Sequence, residues 1–377
     1  MNERFSRQIF CPSDFSATEK RRALTPSTVK RWVDLGCTVQ VPMDYGTLIG
    51  FSDNDYAAAG AMLAVDPGLA MAQADMLLRV KTTDARLGAT KPGAWHLSFL
   101  DPVKEQPMLQ QLSQRGLSVF SLEMMPRTTL AQSMDALSSQ ANLAGYAAVL
   151  AAAERSSKVL PMMTTPAGSI SPARVLVLGA GVAGLQAIAT AKRLGARVEA
   201  YDTRPAVAEQ VRSLGARFVE LDIGETEESQ QGYAQALTEE QLRRQQEQLS
   251  KLCSLMDIIV CTAKVFGKKA PILLTAETVA QLKRGCVVAD LAIESGGNVE
   301  GVVAGQEVIT PNGAILLGET QYENHVARDA SEVLASNFLA LAKYIWERHQ
   351  GELQLDDPII KGALVAHQEK ILFQRGN

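Results

Sequence analysis

Three glycines near the middle of the sequence have the G-x-G-x-x-G spacing of a nucleotide-binding turn. Gly179, Gly181 and Gly184 follow the apolar run RVLVL and begin a helical pattern, and Asp202 ends the next apolar run. In such a turn the first glycine permits a tight bend, the second lets the backbone approach a pyrophosphate, and the third lets helix and strand pack closely. The helix N-terminus supplies amide donors, and the acid binds an adenosine ribose. This combination predicts a dinucleotide site over a plain glycine turn.

The residues at the end of that next run bear on which dinucleotide binds. Asp202 would repel a 2′-phosphate and is placed to accept the ribose hydroxyls, which favours NAD over NADP. Arg204 leaves several alternatives open. It accepts a 2′-phosphate, it lies along the adenine or the pyrophosphate, or it is only a solvated side chain. We give the carboxylate more weight and predict NAD(H).

A second polar group lies at the start of an alanine-rich helical run. The segment RTTLAQSMDALSSQANLAGY carries Arg127, Gln132, Asp135 and Ser138. On one helical turn the last three would share a face. A cation, an amide and an acid together suggest recognition of an uncharged amide and its ribose. The alternative is helix capping, in which Ser133 or Asp135 only begins the helix that runs through AGYAAVL.

A proton-transfer catalyst is harder to find. The first part of the chain offers a small set of candidate side chains, namely Arg21, Arg22, Lys81, His96 and Asp101. Arg21 and Lys81 lie where elements can end at a cleft. His96 lies inside a strand run, and we expect it to be structural or exposed. None of these residues forms a convincing acid/base pair.

Composition restricts the class of protein. The chain has 377 residues, 46% hydrophobic and 21% charged, with a formal net charge of −4. The length predicts two domains of ~150–200 residues, and the charge argues against nucleic acid or an anionic membrane surface. The sequence lacks a run of ~18 apolar residues and a signal-peptide pattern, so a cytoplasmic protein is expected. Five scattered cysteines fit a reducing compartment, and four histidines without metal-ligand spacing predict no metal site.

Alternating strand and helix patterns must position these residues. Up to about residue 125 the alternation implies a parallel sheet with helices on both faces, and residues 54–64 are predicted as one helix. A second unit of this kind begins near residue 174, and its polar segment predicts a loop followed by a solvated helix. The helical tail after residue 320 is too short for its own core. We therefore expect an α/β protein with two doubly wound parallel-sheet domains, formed by residues 1–140 with 327–377 and by residues 141–326.

Several segments make the chain resemble the NAD(H)-binding subunit of proton-translocating nicotinamide nucleotide transhydrogenases, in one superfamily with alanine dehydrogenase. The matching segments span nearly the whole chain: RRALTP, RTTLAQSMDALSSQANLAGYAAV, GAGVAGLQAIATAKRLGARVEAYDTR, GYAQALTEEQ, DIIVCTA and VVADLAIESGGNVE. The resemblance implies two Rossmann-like domains with NAD(H) in the cleft between them. It also implies direct hydride transfer to NADP⁺ on a partner subunit. Such a transfer needs no general acid or base, because it depends mostly on positioning two nicotinamide rings.

The same resemblance implies partners and site residues. The partners are a second copy in a homodimer, an NADP-binding subunit and a membrane-embedded subunit, which would hold the chain at the inner face of a bacterial membrane. Gly232 and Tyr233 resemble the family's mobile loop, and Gln245 follows at the matching spacing. Catalytic roles are expected for Gln132, Arg127 and Asp135. The expected cofactor-binding residues are Arg127, Thr128, Gln132, Asp135, Ser138, Gly179, Ala180, Gly181, Val182, Gly184, Asp202, Thr203, Arg204, Gly232, Tyr233, Gln245 and Lys264.

Two other functions remain open at this point. Alanine dehydrogenase binds a carboxylate and handles protons at an amine, using Arg, Lys, His and Asp. Arg21 and Lys81 stand at its Arg and Lys positions. Its His position is Asp101 and its Asp position is Glu294, and the missing His is a serious defect for that chemistry. The third possibility is a non-catalytic NAD-binding module.

Overall fold

The structure is a computed structural model of the whole chain. It describes residues 6–13, 18–82, 90–222, 238–264 and 267–373. Gly232 and Tyr233, which we expect to bind the nucleotide, lie outside these residues.

The strands and helices are numbered in chain order. The strands are β1 (Gln8–Phe10), β2 (Thr38–Pro42), β3 (Met62–Ala64), β4 (Met76–Lys81), β5 (Trp95–Phe99), β6 (Ser118–Ser121), β7 (Met163–Thr165), β8 (Gly168–Ile170), β9 (Arg174–Leu178), β10 (Arg197–Tyr201), β11 (Arg217–Phe218), β12 (Ile258–Cys261), β13 (Val287–Asp290), β14 (Glu307–Ile309), β15 (Ile315–Leu317), β16 (Leu364–His367) and β17 (Lys370–Ile371). The α-helices are α1 (Pro26–Asp34), α2 (Asp53–Ala58), α3 (Pro67–Gln73), α4 (Gln106–Gln114), α5 (Ala136–Arg155), α6 (Val182–Arg193), α7 (Ala208–Ser213), α8 (Glu239–Cys253), α9 (Ala276–Ala280), α10 (Ala327–His349) and α11 (Pro358–Ala363).

The chain divides into two compact units. Unit 1 consists of Met1–Gln140 with Val326–Asn377, and unit 2 consists of Ala141–His325. The C-terminal residues therefore belong with the N-terminal ones, and unit 1 is discontinuous in sequence.

Unit 1 is built on one eight-stranded sheet with the order β17-β16-β6-β5-β4-β1-β2-β3. Strands β1 to β6 run parallel, whereas β16 runs antiparallel to β6 and β17 antiparallel to β16. All five residues of β5 are buried, as expected for a central parallel strand covered on both faces. Strands β16 and β17, from the C-terminal part of the sequence, thus form one edge of the sheet, and the N-terminal part supplies the other six strands.

Helix α10 supplies much of the hydrophobic core of unit 1. Leu334, Phe338, Leu341 and Ile345 recur at helical spacing and are fully buried, in the same apolar cluster as Trp32. This stripe explains why the tail packs on unit 1, since a single amphipathic helix cannot bury its apolar face alone.

Residues 54–64 are not one helix, and the prediction that they are was wrong. Helix α2 ends at Ala58, Gly60 follows with a φ of +98°, and β3 then pairs with β2. The left-handed conformation of Gly60 stops the helix, and a bulkier residue would be strained there. The residues of β3 then form backbone hydrogen bonds with β2. This pairing could not be inferred from the alanine-rich sequence.

Unit 2 contains a seven-stranded sheet with the order β11-β10-β9-β12-β13-β15-β14. Its strands are parallel except for β14, which confirms the α/β prediction. From β9 the chain moves to one side through β10 and β11, and then to the other side through β12 and β13. The strand order therefore reverses between β9 and β12. In open α/β sheets ligands bind at the carboxyl ends of the strands at this kind of reversal.

The five cysteines, all in described segments, are buried thiols. Within the described ranges, no helix is long and apolar enough to cross a membrane. The same described residues contain no cluster of His, Cys, Asp and Glu that could hold a metal ion.

Candidate functional site

The glycine-rich turn lies at the carboxyl end of β9, at the strand reversal. Gly179 has a φ of +98°, and a Cβ there would lie 2.7 Å from Thr262 Oγ1. A Cβ on Gly184 would lie 1.9 Å from the carbonyl oxygen of Gly179, whereas a Cβ on Gly181 would meet no atom within 4 Å. The first and third glycines are therefore required by the turn and by helix packing. The second leaves open space above the backbone.

Helix α6 begins directly at this open position. Gly181 is its N-cap, and Val182 is its first residue and is 43% exposed. The first amides of a helix have no partner within the helix, and the helix dipole adds positive character there. Ala180, between the two glycines, is buried. This arrangement suits a phosphate group lying against the backbone at Gly181.

Asp202 lies beside the turn and is heavily hydrogen-bonded. Its Oδ2 accepts from the Ala180 amide at 2.7 Å and from Arg204 Nη2 at 3.0 Å. Its Oδ1 accepts from the Arg204 amide at 2.9 Å and from Arg204 Nε at 3.0 Å. The carboxylate is thus tied to the glycine turn on one side and to the Arg204 guanidinium on the other.

Three further expected cofactor-binding residues differ in exposure. Gln245 is only 2% exposed, and its Nε2 donates to the Tyr201 hydroxyl at 2.8 Å. Burial raises the pKa of Tyr201 to about 12, so this hydroxyl stays protonated at neutral pH. Gln245 therefore steadies the end of β10, just before Asp202. Lys264 is exposed after β12, and Thr203 is half-buried.

A buried polar group that the sequence analysis missed shapes the neighbouring loops. Asp290, at the end of β13, is fully buried and accepts from the backbone amides of Ala292, Asn298 and Val299. Asn298 in turn donates to the carbonyl oxygen of Ala263 at 2.8 Å. The signal was present, because an Asp that directly follows the apolar run CVVA needs buried partners.

The polar segment in unit 1 begins as a 3-10 helix. That helix spans Thr129–Met134, and the Thr128 hydroxyl accepts from the Ala131 amide at its start. Helix α5 begins only at Ala136. Gln132 thus lies in the 3-10 helix, whereas Asp135 directly precedes α5, so the two residues are not on one α-helical turn. The sequence pattern did not separate a 3-10 helix from the α-helix behind it.

Asp135 caps helix α5. Its Oδ1 accepts from the Ser138 amide at 2.9 Å, and its Oδ2 accepts from the Ser138 hydroxyl at 2.6 Å. This is the arrangement of an N-cap residue bonding three positions into the helix. The capping alternative thus holds for Asp135, and Ser138 is its hydrogen-bond partner.

We expect Asp135→Ala to lower the free energy of unfolding by about 1 kcal/mol, because the Ser138 amide loses its partner. Asp135→Ser keeps a capping oxygen and should recover most of that loss. Urea unfolding of the three proteins measures both differences. Equal losses in the two variants would show that capping is not what Asp135 contributes to stability.

The side chains of Arg127 and Gln132 are exposed on this segment. The backbone beneath them is anchored, since Ala131 and Met134 are buried and Asn337 Nδ2 of α10 donates to the carbonyl oxygen of Ser133 at 2.8 Å. A firmly held backbone that presents an amide and a guanidinium is suited to orienting a polar ligand.

Arg21 is held within unit 1 by an internal partner. Its Nε and Nη2 donate to the two carboxylate oxygens of Glu19 at 2.8 and 2.7 Å, and its Nη1 donates to Gln140 Oε1 at 2.9 Å. The side chain of Arg21 is 4% exposed. A substrate carboxylate would have to displace Glu19 to pair with it.

His96 and Asp101 do not form an acid/base pair either. His96 is fully buried, and its Nε2 lies 2.7 Å from Thr82 Oγ1. Burial, with a smaller effect of Arg79, lowers the pKa of His96 to about 3. Asp101 forms an ion pair with Lys104 at 3.2 Å. His96 is therefore structural, one of the two placements expected for it.

The neutral state of His96 makes stability depend on pH. In the unfolded chain its pKa is 6.5, and in the fold it is about 3. Below pH 6.5 the unfolded state binds the proton and the fold does not, so stability falls as pH drops towards 3, by up to ~1.4 kcal/mol per pH unit. We expect His96→Gln to show a shallower loss between pH 6.5 and 4 in urea unfolding. Parallel curves for the two proteins would contradict this assignment.

Comparisons with known proteins complete the description. Two family models match: alanine dehydrogenase/PNT, C-terminal domain, over residues 148–374, and alanine dehydrogenase/PNT, N-terminal domain, over residues 11–144. The chain is 39% identical over 376 residues to a Rhodospirillum rubrum protein named as the first part of NAD(P) transhydrogenase subunit alpha, covering 97% of each chain. It superimposes on the crystal structure of transhydrogenase from Sinorhizobium meliloti with a TM-score of 0.86 and 36% identity, covering 96% of this chain and 99% of that one. It is 27% identical over 300 residues to the alanine dehydrogenase of Bacillus subtilis, covering 78% and 72%.

Proposed function

The chain belongs to the alanine dehydrogenase/PNT family, and from that premise we propose that it is the NAD(H)-binding component of a proton-translocating transhydrogenase. In this function it transfers hydride directly between NADH and NADP⁺ bound on a partner subunit. The observation that carries the proposal is the glycine turn at the strand reversal of unit 2. Open space over Gly181, the start of α6 and the Asp202 carboxylate fit the pyrophosphate and adenosine ribose of NAD(H).

The residues of unit 1 would act by positioning. NADH, when bound, supplies the hydride. The exposed side chains of Arg127 and Gln132 offer a guanidinium and a carboxamide to the uncharged amide of nicotinamide. Asp135 and Ser138, which bond to each other, hold the start of α5 behind them. Positioning of this kind needs no group that gains or loses a proton.

Other expected residues have supporting roles in this proposal. Ala180 donates its amide to Asp202, and Gln245 fixes Tyr201 at the end of β10. Lys264 is exposed, at the same end of the sheet as Gly179. Its charge attracts the anionic dinucleotide.

The state of Arg21 and His96 argues against alanine dehydrogenase chemistry. An amino-acid dehydrogenase must offer a cation to the substrate carboxylate and a group that exchanges protons near pH 7. Arg21 is paired with Glu19 and Gln140. Asp101, at the His position of alanine dehydrogenase, forms an ion pair with Lys104 at 3.2 Å, and His96 is fully buried with a pKa of about 3. The higher identity to the transhydrogenase subunit than to the alanine dehydrogenase points the same way.

The proposal includes partners and a location. NADP(H) would bind to a separate subunit, a membrane-embedded subunit would conduct protons, and this chain would form a homodimer at the inner face of a bacterial membrane. The name of the Rhodospirillum rubrum relative describes one portion of an alpha subunit, which supports assembly with other polypeptides.

A paired assay tests the function. The purified chain is mixed with the NADP-binding subunit of a related transhydrogenase, and reduction of an NADP⁺ analogue by NADH is followed. We expect turnover only when both proteins are present, and none with pyruvate, ammonia and NADH. Turnover of pyruvate with ammonia but no hydride transfer to the analogue would refute the proposal. NADH binding without either activity would favour a non-catalytic module.

A further inference from the structure

The Asp202 carboxylate has no acceptor capacity to spare. It receives four hydrogen bonds, from the Ala180 amide, the Arg204 amide, and Nε and Nη2 of Arg204. A carboxylate has about four lone-pair positions. Any further donor must therefore displace one that is already there.

Only two of these four donors can leave without unfolding the turn. The amides of Ala180 and Arg204 belong to the backbone, and each approaches a different oxygen of Asp202. The other two belong to the Arg204 guanidinium, which donates one bond to each oxygen, at 3.0 Å in both cases. The side chain of Arg204 is 22% exposed and that of Asp202 is 8% exposed.

The guanidinium and a ribose diol need the same acceptors. The 2′- and 3′-hydroxyls of an adenosine ribose are neighbouring donors, and a carboxylate binds them with one oxygen each. The Arg204 fork makes the same two-point contact. The Arg204 guanidinium and the ribose hydroxyls cannot bind Asp202 at the same time, because backbone amides already use the other two lone pairs of the carboxylate.

We propose that the Arg204 side chain is a latch on Asp202, which must release the carboxylate before the adenosine ribose of NAD(H) can bind. The inference rests on the proposed binding of NAD(H) and assigns Arg204 a specific part in it. Arg204 competes with the ribose and lowers the affinity for any nucleotide that uses both hydroxyls. The Arg204 side chain is 22% exposed, so water can solvate its guanidinium once it leaves Asp202.

The test uses two ligands and a matched pair of variants. Binding of NADH, and of an NADH analogue with 2′,3′-dideoxyadenosine, is measured by titration calorimetry for the wild type and Arg204→Met. The methionine keeps an unbranched chain but removes every donor. Arg174→Met is the control, because Arg174 pairs with Glu199 at 2.9 Å at the opposite end of β9 and β10. Arg204→Lys keeps the positive charge but lacks the planar guanidinium that contacts both oxygens of Asp202.

We expect the affinity ratio of NADH to the dideoxy analogue to rise about three- to tenfold in Arg204→Met, and less in Arg204→Lys. It should not change in Arg174→Met. A general loss of attraction for the pyrophosphate lowers both affinities equally and leaves the ratio intact. An unchanged affinity ratio in Arg204→Met therefore contradicts the proposed latch. A lower ratio also contradicts it, because it would mean that Arg204 helps Asp202 to bind the ribose. If the wild type binds neither ligand, the proposed function fails instead.

Discussion

Gly184→Ala is expected to destabilise unit 2 by ~2 kcal/mol and to abolish NADH binding. The new methyl group would lie 1.9 Å from the carbonyl oxygen of Gly179, and an atom cannot remain there. Alanine gains up to ~1 kcal/mol over glycine in a helix, but forcing helix and strand apart costs ~1–3 kcal/mol and sometimes more. The clash is with backbone, so no rotamer change relieves it. Hydrogen exchange of β9 and α6 measures the effect, with β4 and β5 of unit 1 as an internal reference.

Gly181→Ala is the matched control, because its methyl group meets no atom within 4 Å. The fold should be unchanged, and exchange of β9 should match the wild type. NADH binding should nevertheless fall by about tenfold or more, since the methyl group would fill the space proposed for the pyrophosphate. Wild-type affinity in Gly181→Ala would show that the nucleotide does not lie against this residue. Normal exchange in Gly184→Ala would show that the helix can shift at little cost.

Gln132→Asn is expected to reduce hydride transfer about 100-fold in the paired assay while NADH affinity changes less than about threefold. The substitution keeps the amide and shortens its reach by one methylene. Hydride transfer depends steeply on geometry, and a misplacement of about 1 Å is enough for a loss of this size. In the proposed binding mode, affinity depends mainly on the dinucleotide contacts in unit 2, which the substitution does not touch. Single-turnover kinetics and calorimetry separate the two quantities.

Ser133→Ala is the control for Gln132. Ser133 is exposed beside Gln132, and only its backbone oxygen is bonded to Asn337, so the substitution leaves the anchor of the segment in place. Both hydride transfer and affinity should stay at wild-type values. If Gln132→Asn transfers hydride as fast as Ser133→Ala, Gln132 does not position the nicotinamide. If both rates fall, the conformation of the segment matters rather than the Gln132 amide.

The glycine turn could be predicted because its geometry is local. Gly179 needs a positive φ and Gly184 needs the absence of a side chain, and both requirements arise within one strand–turn–helix unit. The cap at Asp135 is local in the same sense, since its partner Ser138 is three residues away. Alternating strands and helices likewise predict a parallel sheet, because parallel strands require crossover connections.

Contacts between distant residues could not be predicted in this way. The spacing of Gln245 fits a residue that binds the nucleotide. Its side-chain amide is instead buried against Tyr201, 44 residues earlier in the chain. The conformation of the segment before α5 depends on Asn337, 204 residues away from Ser133. Periodicity carries no information about such partners, so the pattern could not separate the 3-10 helix that holds Gln132 from α5.

The sequence by itself determined the α/β class, the glycine turn between β9 and α6 and the family resemblance, because these depend on short-range backbone geometry and on apolar periodicity. Only the tertiary structure decided what the polar side chains are bonded to. It paired Arg21 with Glu19, buried His96 beside the Thr82 hydroxyl and directed four donors at the Asp202 carboxylate. The physical reason is that a side chain's chemistry depends on its desolvation and its hydrogen-bond partners, and both are set when the chain packs.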